Sequence, residues 1–215
     1  NIPVISQQSK PLADDDDFYN FNNLQKCVDR LEQDKSSASC GGQTAHFKIL
    51  DGHIRGKKIQ FDKANKSYFK NTSKLENIKR YLTHHQGIYY NVQRTEYFKN
   101  AWIINTKQNF TPRMAELFIE LYVFACGKIE VLPLVTYFRQ FNHPYVNTMA
   151  MSNDFIDEML MSDWHKEINN IFNIIGKKIA KSEKIKIGDV KKDLLFNYKI
   201  FLKSWIINNI NLEGQ

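Results

Sequence analysis

Residues 111–127 read TPRMAELFIELYVFACG, and the reading of this stretch decides where everything else is placed. Thr111 is a good N-cap residue, and Pro112 suits the first helical position, where its missing N–H costs nothing. Gly127 can take the left-handed conformation that ends a helix. Met114, Leu117, Phe118, Leu121, Tyr122 and Ala125 form a helical stripe, while Ile119, Val123 and Phe124 make the opposite side apolar too. A helix hydrophobic nearly all round is buried all round. Its charges, Arg113, Glu116 and Glu120, fall in the first three turns. The expectation is a mainly α-helical domain around a buried central helix at about 112–126.

Working outward from it, residues 88–105 are aromatic and fit a short extended piece followed by a helix from about Thr95. Ser73-Lys74-Leu75-Glu76 is a capping box, opening a helix whose inner face is Leu75, Ile78, Tyr81 and Leu82. Before it, His46–Leu50, Asp51-Gly52 and His53–Phe61 fit a β-hairpin at about 46–61 around an Asp-Gly turn, near the N-terminal third. Ser36–Gln43 is small and glycine-containing, which reads as a linker. Phe18, Phe21, Leu24, Cys27, Val28 and Leu31 have helical spacing and place an N-terminal helix at 18–35. Residues 1–17, with two prolines and the Asp14–Asp17 tract, read as a flexible acidic arm.

On the other side, Pro133 is expected to start a further helix with Leu134, Val135, Phe138 and Phe141 inward, stopping at His143-Pro144. Ser152 or Asn153 caps a short helix to about Met161. Ser162 opens a long one whose stripe is Trp164, Ile168, Ile171, Phe172, Ile175 and Ile179. Gly188-Asp189 separates this from a last helix with Val190, Leu194, Tyr198, Phe201 and Trp205 in register. Residues 44–215 thus form a single helical domain carrying the hairpin. The aromatic residues, 13% of the chain, are assigned mainly to core packing.

The chain has 215 residues and a formal net charge of +7, unevenly spread. Residues 1–35 hold four cations against seven carboxylates, a net −3, which leaves +10 on residues 36–215. A basic body behind an acidic leader is the asymmetry of proteins that bind polyanions. Two segments concentrate the cations. Arg55, Lys57, Lys58, Lys63, Lys66, Lys70, Lys74, Lys79 and Arg80 stand against only Asp62 and Glu76, with Tyr68 and Phe69 among them. Lysines at this density neutralise phosphates, and aromatics between them can stack unpaired bases. The second segment has Lys177, Lys178, Lys181, Lys184, Lys186, Lys191 and Lys192 against Glu183 and Asp189. Lysines ending a helix near Lys181 suit its negative end, but the excess runs on into the next helix. The bland reading of both segments is a solvated lysine face.

These readings converge on an RNA- or single-strand-binding protein in which Arg55, Lys57, Lys58, Lys79, Arg80, Lys177, Lys178, Lys181 and Lys184 line a groove and terminal arms tie subunits together. No helix carries the Arg/Asn/Gln set that reads bases in a major groove. In layout, though not in any motif, the chain resembles nucleocapsid proteins of segmented negative-strand RNA viruses. Two other classes stay open. One is a helical interaction module or secreted effector, which would use the sequons at Asn65, Asn71 and Asn109 and a Cys27–Cys40 bridge. The other is a metal-dependent nuclease using Asp51, Glu130 and nearby lysines, or a metal site from His84 and His85 with Glu76, His46 or His53. Adjacent histidines point about 100° apart on a helix, and there is no Gly-rich phosphate loop, GxSxG or HExxH. That weighs against catalysis, and no cofactor or metal is expected. Three cysteines without CxxC spacing argue against a disulfide framework and a structural zinc site. No run of some eighteen apolar residues suggests a membrane span, and no signal peptide is visible. The expected setting is intracellular, in the cytoplasm, with secretion left open.

Overall fold

A computed structural model of the chain describes residues 9–10, 18–50, 53–56, 73–84, 87–140 and 163–210. In chain order these form β1 (Ser9–Lys10), β2 (Phe18–Tyr19), α1 (Phe21–Gln33), β3 (Ser37–Leu50), β4 (His53–Gly56), α2 (Lys74–His84), β5 (Val92–Arg94), α3 (Thr95–Gln108), α4 (Pro112–Cys126), β6 (Lys128–Gln140), α5 (Trp164–Glu183) and α6 (Ile187–Ile210). The architecture is mainly α-helical, with one sheet. Outside the described residues lie most of the acidic arm, Asp51, residues 57–72 with the sequons Asn65 and Asn71, His85, and the short helix expected before Met161.

The sheet runs β1-β5-β3-β6-β2, with β4 also paired to β3. Its spine is the parallel pair β3 and β6, from Ser37 opposite Lys128 to Phe47 opposite Gln140. Two expectations are corrected here. The stretch read as a linker, Ser36–Gln43, lies mostly in β3, and its small residues are there because backbones approach closely. A Cβ on Gly42 would meet the Leu134 carbonyl oxygen at 2.2 Å, and one on Gly41 would meet the Asn91 side chain at 1.9 Å. The helix expected from Pro133 is instead strand β6. Between the Gly41–Val131 and Gln43–Val135 pairs one residue of β3 faces three of β6, a bulge. Pro133 sits in that bulge, where a missing N–H breaks no ladder bond.

Strand residues divide between two buried clusters, and an irregularity between Ser37 and Ser39 interrupts the alternation in β3. Ala38 and Ile129 join the large helical core, whereas Cys40, Val92 and Leu132 pack with Leu24, Cys27, Val28 and Leu31 of α1. Cys27 and Cys40 are free, buried thiols. Their hydrogen bond, with burial, pushes the Cys40 thiol far above its ordinary range. Arg94 closes the other end of α1: its guanidinium donates to the carbonyls of Leu31, Asp34 (3.1 Å) and Ser37 (2.7 Å), a cation on the negative end of a helix.

Helix α4 buries Met114, Ala115, Phe118, Ile119, Leu121, Tyr122, Val123, Phe124 and Ala125, together with Glu120. Pro112 occupies its first turn, but both ends differ from the simple reading. The Thr111 side chain caps nothing within α4. Its N–H and hydroxyl instead donate to Glu167 of α5 at 3.0 and 3.1 Å. Gly127 is extended, at φ −170°, and leads directly into β6. A Cβ there would lie 2.5 Å from the Ser36 carbonyl oxygen, so glycine is required by space rather than by handedness. The stripe expected for α5 is buried as read, from Trp164 to Ile179. The break before α6 falls at Lys184, in the left-handed region at φ 57°, rather than at Gly188. Trp102 on α3, assigned to the core, is exposed.

Candidate nucleic-acid interface

Most of the described part of the first basic segment is α2, and its start is capped by the Ser73 hydroxyl and the Glu183 carboxylate. Ser73 Oγ accepts the Glu76 N–H at 3.2 Å, as an N-cap should. Glu76 does not return to the cap; it pairs with Lys79 at 2.9 Å. The free N–H groups of the first turn are taken by Glu183, the last residue of α5. Its carboxylate accepts from Ser73 Oγ at 3.2 Å and from the Lys74 and Leu75 N–H groups. An anion thus sits on the positive end of α2, supplied from 109 residues away along the chain.

A second bond joins the same pieces. Lys79 Nζ lies 2.9 Å from Asp193 of α6 as well as 2.9 Å from Glu76. The Glu76 and Asp193 carboxylates hold its pKa above the ordinary value. The two lysine-rich segments of the sequence are therefore stitched together through Glu183 and Asp193, two of the few acids near them.

The residues expected to contact phosphates are not equivalent. Lys177, Lys181 and Lys184 are exposed and form no ion pair among the described residues. Lys184 is also the left-handed cap of α5, its N–H donating to the Ala180 carbonyl. Lys178 points inward: its ammonium lies 4.6 Å above the Tyr122 ring. Burial opposes that charge, but Cys126 and Tyr122 outweigh it and hold the Lys178 pKa up. Burial in turn pushes the Cys126 thiol up to about 11. Lys178 is thus part of the α4–α5 packing. Lys79 is engaged by two carboxylates, and Arg80 is half-buried on α2. Arg55 lies in β4 opposite Lys48, with only its backbone described, and Lys57 and Lys58 lie outside the described residues.

For a metal-dependent reaction the described residues offer little. Among them no group of three or more His, Cys, Asp or Glu is placed to hold an ion. Glu130 accepts from Arg30 at 3.2 Å and from the Ser37 hydroxyl at 3.3 Å, which ties α1 to the sheet. No helix among the described residues is long and apolar enough to cross a membrane. No protein-family model matches the chain, and no curated protein matches it.

The sequence reading missed the lysines of α6 beyond Lys192. Lys199 and Lys203 are exposed, together with Leu195, Phe196 and Ile200. The signal was present: once Val190, Leu194 and Tyr198 are set inward, these residues are left over on the outer side of the helix.

Proposed function

We propose that the protein binds RNA or unpaired nucleic-acid strands through the lysine-rich surface at the α5–α6 junction and the adjoining α2. The supporting observation is the stitching of α2 to that junction by Glu183 and Asp193. It brings cations roughly a hundred residues apart in sequence onto neighbouring helices and uses up carboxylates that would otherwise compensate them. Lys177, Lys181 and Lys184 are the phosphate contacts in this reading; Lys79 and Lys178 hold the surface in place. Lys57, Lys58, Arg55 and Arg80 are the further phosphate contacts of this reading, and terminal arms join subunits along the strand. The cytoplasm is the corresponding setting.

The test is the affinity for a short single-stranded RNA across a salt series. With three or four phosphates neutralised, log K should fall against log salt with a slope of about −2 to −3. Changing Lys177, Lys181 and Lys184 together to Glu should weaken binding at least about tenfold and flatten the slope. A flat slope in the wild type, or no binding at low salt, would leave these lysines as a solvated face.

A further inference from the structure

Helix α6 carries apolar side chains on two sides. Val190, Leu194 and Tyr198 are buried in the helical core. Leu195, Phe196 and Ile200 are exposed on the other side, and Phe196, at 63%, is the most exposed large hydrophobic among the described residues. Lys192, Phe196, Lys199 and Lys203 recur at helical spacing, so they form one row along the helix. All four are exposed. The row continues into the Lys184-Ile185-Lys186-Ile187 turn, where both isoleucines are 39% exposed. Among the described residues, a Cβ on Gly188 would meet nothing within 4 Å, so the space beside that glycine is open.

Five lysines on this face stand against Asp189; Asp193 is held by Lys79 and Glu183 by the first turn of α2. A polyphosphate chain would use the lysines but has no use for three isoleucines and a leucine. A second copy docked by a two-fold axis would cover the apolar residues but set like charges against each other. An anionic lipid surface matches both sets. Aliphatic and aromatic side chains enter the acyl boundary, and lysines lay their stems along it with the ammonium among the headgroups. We propose that the α5–α6 turn and the outer row of α6 dock the protein peripherally on an anionic membrane surface. This does not depend on the nucleic-acid reading, because its distinguishing residues are the apolar ones.

The experiment is co-sedimentation of the full chain with phosphatidylcholine vesicles, with and without about one-third phosphatidylserine. Anionic vesicles should bind at least about tenfold more tightly. The double variant Phe196→Ser, Ile200→Ser should lose about tenfold of that affinity, while RNA binding stays unchanged. Phe196→Leu should bind vesicles like the wild type. Lys192→Glu with Lys199→Glu, which removes no buried atom, should abolish the preference for anionic lipid, with an unchanged circular dichroism melt showing that the fold persists. Equal or absent binding to the two vesicle types overturns the proposal. So does loss of RNA affinity in Phe196→Leu without any vesicle binding, which would assign the ring to base stacking. A dimer in light scattering that the serine variant dissolves would instead make the face a contact between copies and overturn it too.

Discussion

Glu120 is the residue whose chemistry is most at odds with its surroundings. It is 6% exposed inside the apolar part of α4. The Tyr81 hydroxyl and the N–H groups of Ile88 and Tyr89 (2.8 Å) all donate to its carboxylate. Burial raises its pKa from 4.5 to about 7, against the pull of those donors. A carboxyl raised in the folded state binds its proton more tightly there, so its stabilising share is complete below about pH 4.5 and is lost as pH climbs toward 7. The effect is at most about 3 kcal/mol. Urea unfolding at pH 5 and pH 8 should show a loss in the wild type that Glu120→Gln lacks. Parallel behaviour of the two proteins would mean that the three donors keep the carboxylate ionised throughout. Glu120→Ala should cost about 3 kcal/mol or more at either pH, because three buried donors lose their acceptor. The sequence showed a charge in the third turn of an apolar helix. It could not show the partners, which come from α2 and the 87–89 turn.

At the scale of elements, α1, α2, α3 and α5 were legible and the β3–β6 pairing was not. The stripe of α5 and the capping Ser73 are local patterns within a few residues, and local spacing reports them. β3 and β6 are defined by each other, and neither alternates cleanly, because the sheet is covered on both faces and broken by the bulge at Pro133. Small residues in β3 read as a linker for the same reason that they fit the sheet: they leave room. Gly42→Ala sets a methyl against the Leu134 carbonyl and the Thr136 side chain, which should cost about 2 kcal/mol or more in urea unfolding. Pro133→Ala, at an exposed bulge position, should change stability by less than about 1 kcal/mol. A costly proline change with a harmless glycine change would mean that the β3–β6 register differs from the one described. The lysines proposed above as phosphate contacts were legible as a composition bias only. Helical spacing against the α5 stripe sets Lys177 outward and Lys178 on the flank, but only the structure shows that Lys178 turns in over the Tyr122 ring.

Across the whole molecule, α5 works as a strut. Glu167 in its first turn receives the start of α4, and Glu183 at its end receives the start of α2. The two sites are sixteen residues apart along one helix, about 24 Å. Glu167→Ala and Glu183→Ala should each cost about 1 kcal/mol, and the double variant should cost their sum within about 0.5 kcal/mol. A larger coupling in a double-mutant cycle would show that the two ends respond together, so that loosening one helix start loosens the other. The Glu183 variant carries a second readout: if the stitched surface binds RNA, freeing α2 from the α5–α6 junction should lower that affinity although no cation is removed.

The parallel pairing of β3 with β6 also sets a timetable for the chain during synthesis. Ser37 waits for Lys128, some ninety residues later, before its strand gains that neighbour. Until then α1 and β3 leave the ribosome with one side of the future sheet open, and the helices from α2 to α4 must form first and bring β6 back alongside. Such long-range closure slows folding relative to a bundle with only sequential contacts. It also leaves every intermediate that ends before β6 with an exposed strand edge, the form of chain on which holding chaperones act and from which aggregates grow.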